Sequence, residues 1–372
     1  MKVLQLTVHL FPNIGGVETH LNDLFNALTS RNFNIFCLAY QPLSTRVDWK
    51  VIERGNNLTI LRIPWFKGFF EKLVKFPLLE FIYLVPGLFL VTPFVIIFYR
   101  PKIIHAHGIS TATSAVFWGK IFKIKTIISL HSFYSFPKRG LYRNFVKILF
   151  DNCDYILCLS KKSKEEVIAL GVDSIKCNVF TYWIDLKKFK KITNAKKILK
   201  WKNGFTSLFV GRLIEEKGIR FLIDTALIWK ANINLVIAGS GPMEEYIAKK
   251  IKGKKNISFI GKVSQDNLPL FYSGANCLIV PSISEEGFGR VIIESLACET
   301  PVIASSMGAI GEAMSEAVGQ FVDGSLDNLK RVIENFAENP GQLKKFSQNA
   351  RTFVERRYSE KNVETIIKSY TV

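Results

Sequence analysis

Short apolar runs recur along the chain at 3–8, 34–39, 58–63, 103–106, 126–130 and 155–159, with another near 178–180. Between them the apolar positions shift to three- and four-residue spacing. Leu21, Leu24, Phe25 and Leu28 do so within 17–30, and that period predicts a helix with one buried face. Strands alternating with helices in this way predict a parallel sheet covered on both faces. A lysine-rich break at 187–202 holds few large apolar side chains and reads as an interdomain linker. The alternation then starts again, with strands at 205–210, 235–238, 257–260 and 276–280, a helix at 291–298 and a short strand at 301–304. From 328 to 372 the pattern is helical. The predicted class is α/β, with doubly wound parallel-sheet domains at 1–183 and 184–357; 372 residues are many for one core.

One segment departs from the alternation. Residues 65–76 interleave Phe66, Phe69, Phe70, Leu73 and Phe76 with Lys67, Lys72 and Lys75, a pattern suited to a membrane interface. Residues 81–99 carry no charge at all, which just meets the length of a transmembrane helix. Pro86, Gly87 and Pro93 interrupt the run, and Arg100-Pro101-Lys102 leads straight into the strand at 103–106. A span there would put the halves of one α/β domain on opposite sides of a membrane. The segment is therefore predicted as a helix pair, either buried or facing a membrane.

Charge sharpens the choice of partners. Lys and Arg number 50 against 31 Asp and Glu, a net charge of +19, so phosphates or an anionic membrane surface are expected. No nucleic-acid-binding motif accompanies that charge, and no nucleic-acid partner is expected. The six cysteines are scattered through mostly apolar runs without metal-ligand spacing; they read as buried free thiols in a reducing compartment. The opening MKVLQLTVHLF lacks the basic region and cleavage site of a signal peptide, which predicts a cytoplasmic chain.

The candidate chemistry lies at strand ends. In the stretch 285–304, EEGFGRVIIESLACETPVIA, seven residues separate Glu286 from Glu294. Gly287, Phe288 and Gly289 sit where a loop becomes a helix, and the unpaired N–H groups of such a terminus favour a diphosphate. Glu294, about two turns on, stays within reach of whatever the loop holds. Acids at both ends of a phosphate site suit a nucleotide sugar; the plain alternative is a glycine-rich turn with solvent-facing glutamates. Arg212 and Lys217 flank another strand-to-helix turn. A guanidinium fork and a mobile ammonium there suit diphosphate oxygens, or else the two are surface cations. Gly239-Ser240-Gly241-Pro242 closes the next strand. In the first half, Gly15-Gly16 follow the first strand, either letting backbone approach a ligand or making an ordinary tight turn. His131 ends a buried strand, where an imidazole needs a partner. His105 and His107 end a neighbouring strand, His105 as a satisfied core residue; their spacing does not support zinc.

Gly15-Gly16 with Glu18, His131, Gly211-Arg212 with Lys217-Gly218, Gly239-Ser240-Gly241-Pro242, and Glu286-Gly287-Phe288-Gly289 with Glu294 resemble the retaining family 4 glycosyltransferases of the GT-B fold. The resemblance runs in order along nearly the whole chain. It implies two Rossmann-like domains facing a central cleft, with the donor held by the C-terminal one and the last helix, 358–372, packing back on the first. It implies that Arg212 and Lys217 hold the diphosphate and Glu294 the ribose. It makes Glu286 and His131 the catalytic side chains beside the sugar, with the backbone of Phe288 and Gly289. Gly15, Gly16, Gly239, Gly241, Val263, Gly287 and Arg290 complete the implied donor site. No metal or cofactor is implied, because the cations do that work. Arg290 stands where the family usually has an apolar residue, which makes the diphosphate end more cationic. Gln265, near the loop that meets the base, is not acidic, so the base is left open. The expected activity is a metal-independent, retaining hexosyl transfer from a nucleoside diphosphate to a glycan or lipid-linked acceptor. The expected place is the inner face of the cell membrane, as a peripheral protein. A nucleotide-sugar epimerase on the same scaffold would need an acid–base set that only the histidines offer. A basic membrane-surface binder would need no catalysis.

Overall fold

The structure, a computed structural model, describes residues 1–371 apart from 14, 44–46, 67, 69, 74, 75 and 231, and leaves the side chains of 71, 72 and 77 undescribed. The chain divides into two compact units, Met1–Tyr182 with Glu360–Val372, and Trp183–Ser359.

The first unit contains strands β1 (Lys2–Thr7), β2 (Asn34–Tyr40), β3 (Ile52–Gly55), β4 (Leu58–Ile63), β5 (Ile103–His107), β6 (Lys125–Leu130), β7 (Tyr155–Cys158) and β8 (Cys177–Val179). They form one sheet in the order β3-β4-β2-β1-β5-β6-β7-β8, parallel except that β3 runs against β4. Its helices are α1 (Gly16–Thr29), α2 (Phe70–Leu73), α3 (Pro77–Tyr99), α4 (Ile109–Phe122), α5 (Leu141–Asp151) and α6 (Lys161–Ala169). The central strands β1, β5 and β6 are buried on both faces, hence their largely apolar sequences. The buried polar exceptions are Gln5, Thr7, His105, His107, Thr126 and Ser129. The strand order turns between β1 and β5, so the loops after these strands flank a crevice at the carboxyl edge.

The second unit contains α7 (Ala195–Ile198), β9 (Phe205–Arg212), α8 (Ile219–Ala226), β10 (Ile233–Ser240), α9 (Glu244–Ile251) and β11 (Ile257–Phe259). It continues with α10 (Leu268–Gly274), β12 (Cys277–Val280), α11 (Arg290–Ala297), β13 (Val302–Ser305), α12 (Ile310–Ala313), β14 (Gly319–Val322), α13 (Leu326–Glu338) and α14 (Pro340–Arg357). Its sheet runs β11-β10-β9-β12-β13-β14, all parallel, and turns between β9 and β12. The last helix, α15 (Val363–Thr371), belongs to the first unit. All six cysteines are free and buried.

Four features differ from the sequence reading. The edge strands β3 and β14 carry no strong apolar run and were not predicted. The lysine-rich stretch 187–202 lies inside the second unit, where Trp201 packs edge-on to Phe271 and α7 is formed. The chain passes between units earlier, at Tyr182–Trp183. In the interfacial stretch Phe70 turns inward and is buried, while Phe66 and Phe76 are exposed; Lys67, Phe69 and Lys75, and the side chain of Lys72, lie outside the described residues.

The fourth difference is α3, which is one helix and not a pair. It tolerates its prolines because neighbouring side chains take over backbone bonds that a helix would otherwise make to itself. Pro93 has no N–H to give to Phe89 O, four residues back; Trp118 Nε1 donates to that carbonyl at 2.8 Å. The Tyr40 hydroxyl donates to Leu84 O and accepts from Leu88 N–H, two groups that would pair with each other in an unbroken turn. Trp65 Nε1 donates to Tyr83 O at 3.0 Å. These bonds pin α3 to β2 and α4 along one side, and its other side is exposed.

Candidate active site

The turn in strand order makes the loops after β9 and β12 neighbours at the carboxyl edge of the second unit. Gly218 follows Lys217 with φ +69°, and a side chain there would run into Pro281 O on the β12 loop. Ile283 N–H donates to Glu216 O at 3.0 Å, so backbone joins the two loops directly. The result is a polar cluster of three side chains. Lys217 Nζ pairs with Glu286 Oε1, and Ser282 Oγ donates to Glu286 Oε2 at 2.7 Å. Ser282 is held in turn by Ser305 Oγ, which donates to Ser282 O at 2.7 Å. Glu286 thus faces a cation and a hydroxyl while keeping its side chain 14% exposed. A second backbone tie fixes its main chain. Ala309 N–H donates to Glu286 O at 2.9 Å, and Gly308, at φ +62°, leaves room for the approach.

Arg212 ends β9 and is exposed at this same edge. Gly289 caps α11 in the left-handed region, and Phe288 is buried with its ring edge-on to Tyr358 at 5.5 Å. Gly287 lies between them and Glu286. Gly239 and Gly241 follow β10: Gly239 N–H donates to Gly261 O at 2.8 Å, and Gly241 N–H donates to Glu244 Oε1 at 2.9 Å. Val263 lines a cavity of about 540 Å³ together with Trp201, Ile260, Lys262, Asn267 and Phe271. Arg212, Lys217, Gly239, Gly241, Val263 and 286–289 therefore all lie on the carboxyl-edge loops of one sheet.

Arg290 and Glu294 do not open onto that edge. Both are buried, Glu294 at 1% exposure, and Arg290 Nε lies 3.2 Å from Glu294 Oε1 along one face of α11. The other oxygen of Glu294 accepts from Tyr272 OH at 2.9 Å. The Tyr272 hydroxyl is pushed well above its ordinary pKa by burial, and further by the Glu294 charge. Arg290, expected at the diphosphate end, is therefore 7% exposed with its Nε engaged by Glu294 inside the unit. Glu294, implied as the ribose ligand, has no face open to a ribose in this conformation.

The first unit holds Gly15 and Gly16 at the start of α1, after β1. Three of its five histidines form a buried chain. His131 Nδ1 lies 3.0 Å from Tyr182 OH and His131 Nε2 lies 2.9 Å from His107 Nδ1. His107 Nε2 meets Gln5 Oε1 at 2.7 Å, and Gln5 Nε2 donates to Tyr370 OH at 3.1 Å. Tyr370 OH lies 2.7 Å from His105 Nδ1, and His105 Nε2 lies 2.7 Å from Ser129 Oγ. With the Gln5 amide in this orientation, its oxygen requires the proton of His107 on Nε2. His107 Nδ1 then accepts from His131 Nε2–H, and His131 Nδ1 accepts from Tyr182. Burial lowers His105 and His131 to about 3 and His107 well below its ordinary value, so all three are neutral near pH 7. His131, expected beside a sugar, has both nitrogens engaged inside the unit. Sequence reasoning missed Gln5, Ser129, Tyr370 and Tyr182 here, and Ser282 and Tyr272 in the second unit. The available signal was a polar residue interrupting an apolar strand. Among the described residues no group of three His, Cys, Asp or Glu side chains is arranged to hold a metal.

Comparison with known proteins matches this arrangement at both levels. The family described as Glycosyltransferase Family 4 matches residues 14–188, and Glycosyl transferases group 1 matches 190–353. A Methanocaldococcus jannaschii protein described as an uncharacterized glycosyltransferase is 24% identical over 390 aligned residues, covering 97% of this chain and 95% of its own. The gpi3 subunit of phosphatidylinositol N-acetylglucosaminyltransferase from Schizosaccharomyces pombe is 22% identical, over 92% of this chain and 75% of its own. Among solved structures, Anabaena HepE in complex with UDP superposes with a TM-score of 0.78 at 18% identity, covering 99% and 98% of the two chains. The two parallel-sheet units are those of the GT-B fold, and the chain belongs to the group 1, family 4 glycosyltransferases.

Proposed function

We propose that this glycosyltransferase moves a hexose from a nucleoside diphosphate to a glycan or lipid-linked acceptor, with retention at the anomeric carbon and without a metal. The observation that carries the reading is the Lys217–Glu286–Ser282 cluster beside the exposed Arg212, on loops joined by backbone bonds. Breaking the bond between the sugar and the diphosphate puts negative charge on the leaving group. Arg212 and Lys217 then act most strongly in the transition state, where that charge develops. Glu286, held from two sides, accepts hydrogen bonds from sugar hydroxyls, with the backbone of Phe288 and Gly289 beside it. Retention and metal independence rest on the family resemblance and on these two cations. Glu294 acts through Arg290 and Tyr272, by holding α11 and the loop before it. The UDP-bound state of HepE supports a nucleotide sugar as donor. The name of the gpi3 relative, a phosphatidylinositol N-acetylglucosaminyltransferase subunit, supports a lipid acceptor; the place that goes with such an acceptor in this reading is the cytoplasmic, inner face of the cell membrane, with the protein peripheral on it.

An epimerase is disfavoured, because the histidines it would need have their ring nitrogens engaged in the buried chain. The test is turnover with a pool of nucleotide sugars and soluble glycan acceptors. Arg212→Ala and Lys217→Ala should each lower kcat/KM by on the order of a hundredfold. Near wild-type turnover in both variants would place the diphosphate elsewhere.

A further inference from the structure

The exposed side of α3 is a continuous apolar strip. Ile82, Leu90, Phe94 and Phe98 recur at four- and eight-residue steps and are all exposed, Leu90 at 64% and Phe98 at 84%. The strip runs about 30 Å from 78 to 98 at the rise of a helix. Phe117 and Ile121 of α4, both exposed, widen it; Phe117 lies against Phe89 of α3 with ring centroids 4.9 Å apart. The helix has a mean hydropathy of 2.4 in its most apolar window, yet only 33% of that window is buried. A helix that merely filled the core would show the opposite. A helix that crossed a membrane would have to leave Tyr40, Trp65 and Trp118, whose hydrogen bonds pin its other side.

Charge selects what covers the strip. Helices α3 and α4 each descend from the carboxyl edge of the parallel sheet to its amino edge. Arg100 and Lys123, the residues after their last turns, therefore lie at the same end as Lys102, all three exposed. Lys138 and Arg139, also exposed, precede α5 at the other end. Between these ends the one acid of α3 and α4 is Glu80, in the first turn of α3; it is half-buried, and burial raises its pKa. A second copy of this chain would bring like charges together, because a two-fold interface pairs a patch with itself. An apolar strip between cationic ends fits a bilayer of anionic lipid.

We propose that the α3–α4 strip lies in the surface of an anionic bilayer, with α3 parallel to the membrane plane and its pinned side facing the sheet. This deepens, and rests on, the reading of a membrane-proximal acceptor. The full chain should float with vesicles of phosphatidylcholine and phosphatidylglycerol at low salt, weakly at high salt, and weakly with phosphatidylcholine alone. The variant L90E/F94E/F98E changes only exposed positions. It should remain in the soluble fraction with an unchanged melting temperature and unchanged nucleotide binding. Lys102→Gln with Lys123→Gln should lower vesicle partition by about fivefold for each charge removed. Wild-type protein that stays soluble at low salt, or a triple variant that floats as well as wild type, overturns the proposal. So does sedimentation as a dimer that the triple variant abolishes. Transfer to a soluble acceptor by a chain that never floats would remove this surface and leave the glycosyl-transfer reading intact. Flotation by a chain that binds no nucleotide sugar would do the reverse.

Discussion

Glu294→Gln separates two roles for the second acid of the E-x7-E stretch. Glu294 is 1% exposed and stands between Arg290 Nε at 3.2 Å and Tyr272 OH at 2.9 Å. A glutamine keeps one acceptor oxygen but removes the negative charge 3.2 Å from the buried Arg290 Nε. Breaking a buried ion pair from one side costs about 3–5 kcal/mol, and the retained acceptor puts this substitution near the lower figure. In a domain of this size that lowers the melting temperature by roughly 6–12 °C. If Glu294 acts by positioning, removing the Arg290 charge as well should repair the damage. Arg290→Met with Glu294→Gln should recover about 2 kcal/mol or more relative to additivity, and with it most of the nucleotide affinity. Scanning calorimetry reads the first quantity, and titration calorimetry with UDP and GDP reads the second. A melting temperature unmoved by Glu294→Gln would refute the buried pair. A double variant restored in stability but still unable to bind nucleotide would refute positioning and make Glu294 a direct ligand of the ribose.

Three further outcomes follow from the same geometry. Glu286→Gln should slow transfer while leaving the affinity for bare nucleoside diphosphate within about threefold of wild type; a large loss measured by calorimetry would mean that Glu286 holds the nucleotide. Trp118→Phe should cost about 2 kcal/mol by depriving Phe89 O of its donor, and Pro93→Ala in the same chain should recover part of it by restoring an amide; strict additivity in urea melts would sink this account. The neutral histidines make the first unit acid-labile. His105 and His131 fall to about 3 in the folded chain, whereas the unfolded chain protonates near 6.5, so it binds more protons between those values. Stability is therefore full above about pH 6.5 and falls as pH drops toward 3, by up to about 1.4 kcal/mol per unit for each histidine; equal urea midpoints at pH 7.5 and about 5.5 would contradict it.

Much of the fold was legible because parallel strands buried on both faces must be apolar, and runs such as 103–106 and 126–130 have few other uses. The edge strands were not legible for the converse reason. Ile52–Gly55 is largely exposed and reads IERG, so nothing in it marks a strand until β4 stands beside it. The helix α3 misled through its prolines. Pro93 breaks a helix only if Phe89 O is left without a partner, and that partner is an indole 29 positions further along the chain. No local window contains that information. The lysine-rich stretch misled in the same way: two of its scattered apolar residues, Leu199 and Trp201, pack α7 against α10 once both are folded.

The candidate site was legible where chemistry constrains backbone and hidden where it depends on side-chain direction. Gly218 and Gly308 stand where loops approach so closely that a Cβ would strike a carbonyl, so glycine marks the place in sequence. The inward turn of Arg290 had a local clue, since Arg290 and Glu294 are four apart on one helix and such pairs can meet. What decided it was Tyr272, which donates to the same carboxylate from another helix and cannot be located by spacing. The histidines follow the same logic. Gln5 pairs in register with His105, and His107 with Ser129, so four polar residues in three apolar strands are brought to two adjacent same-face levels of the sheet. Each looked like an isolated exception along the chain. Together they satisfy one another, which turns His131 away from a solitary contact with substrate and toward holding the ends of β5 and β6 in place. A variant that breaks the far end of that chain, Tyr370→Phe, tests whether the two ends are coupled. It removes one hydroxyl from His105 and Gln5 while leaving His131 untouched. The same loss of stability in Tyr370→Phe, His131→Asn and their combination would establish a single cooperative network, and additive losses would reduce it to independent buried hydrogen bonds.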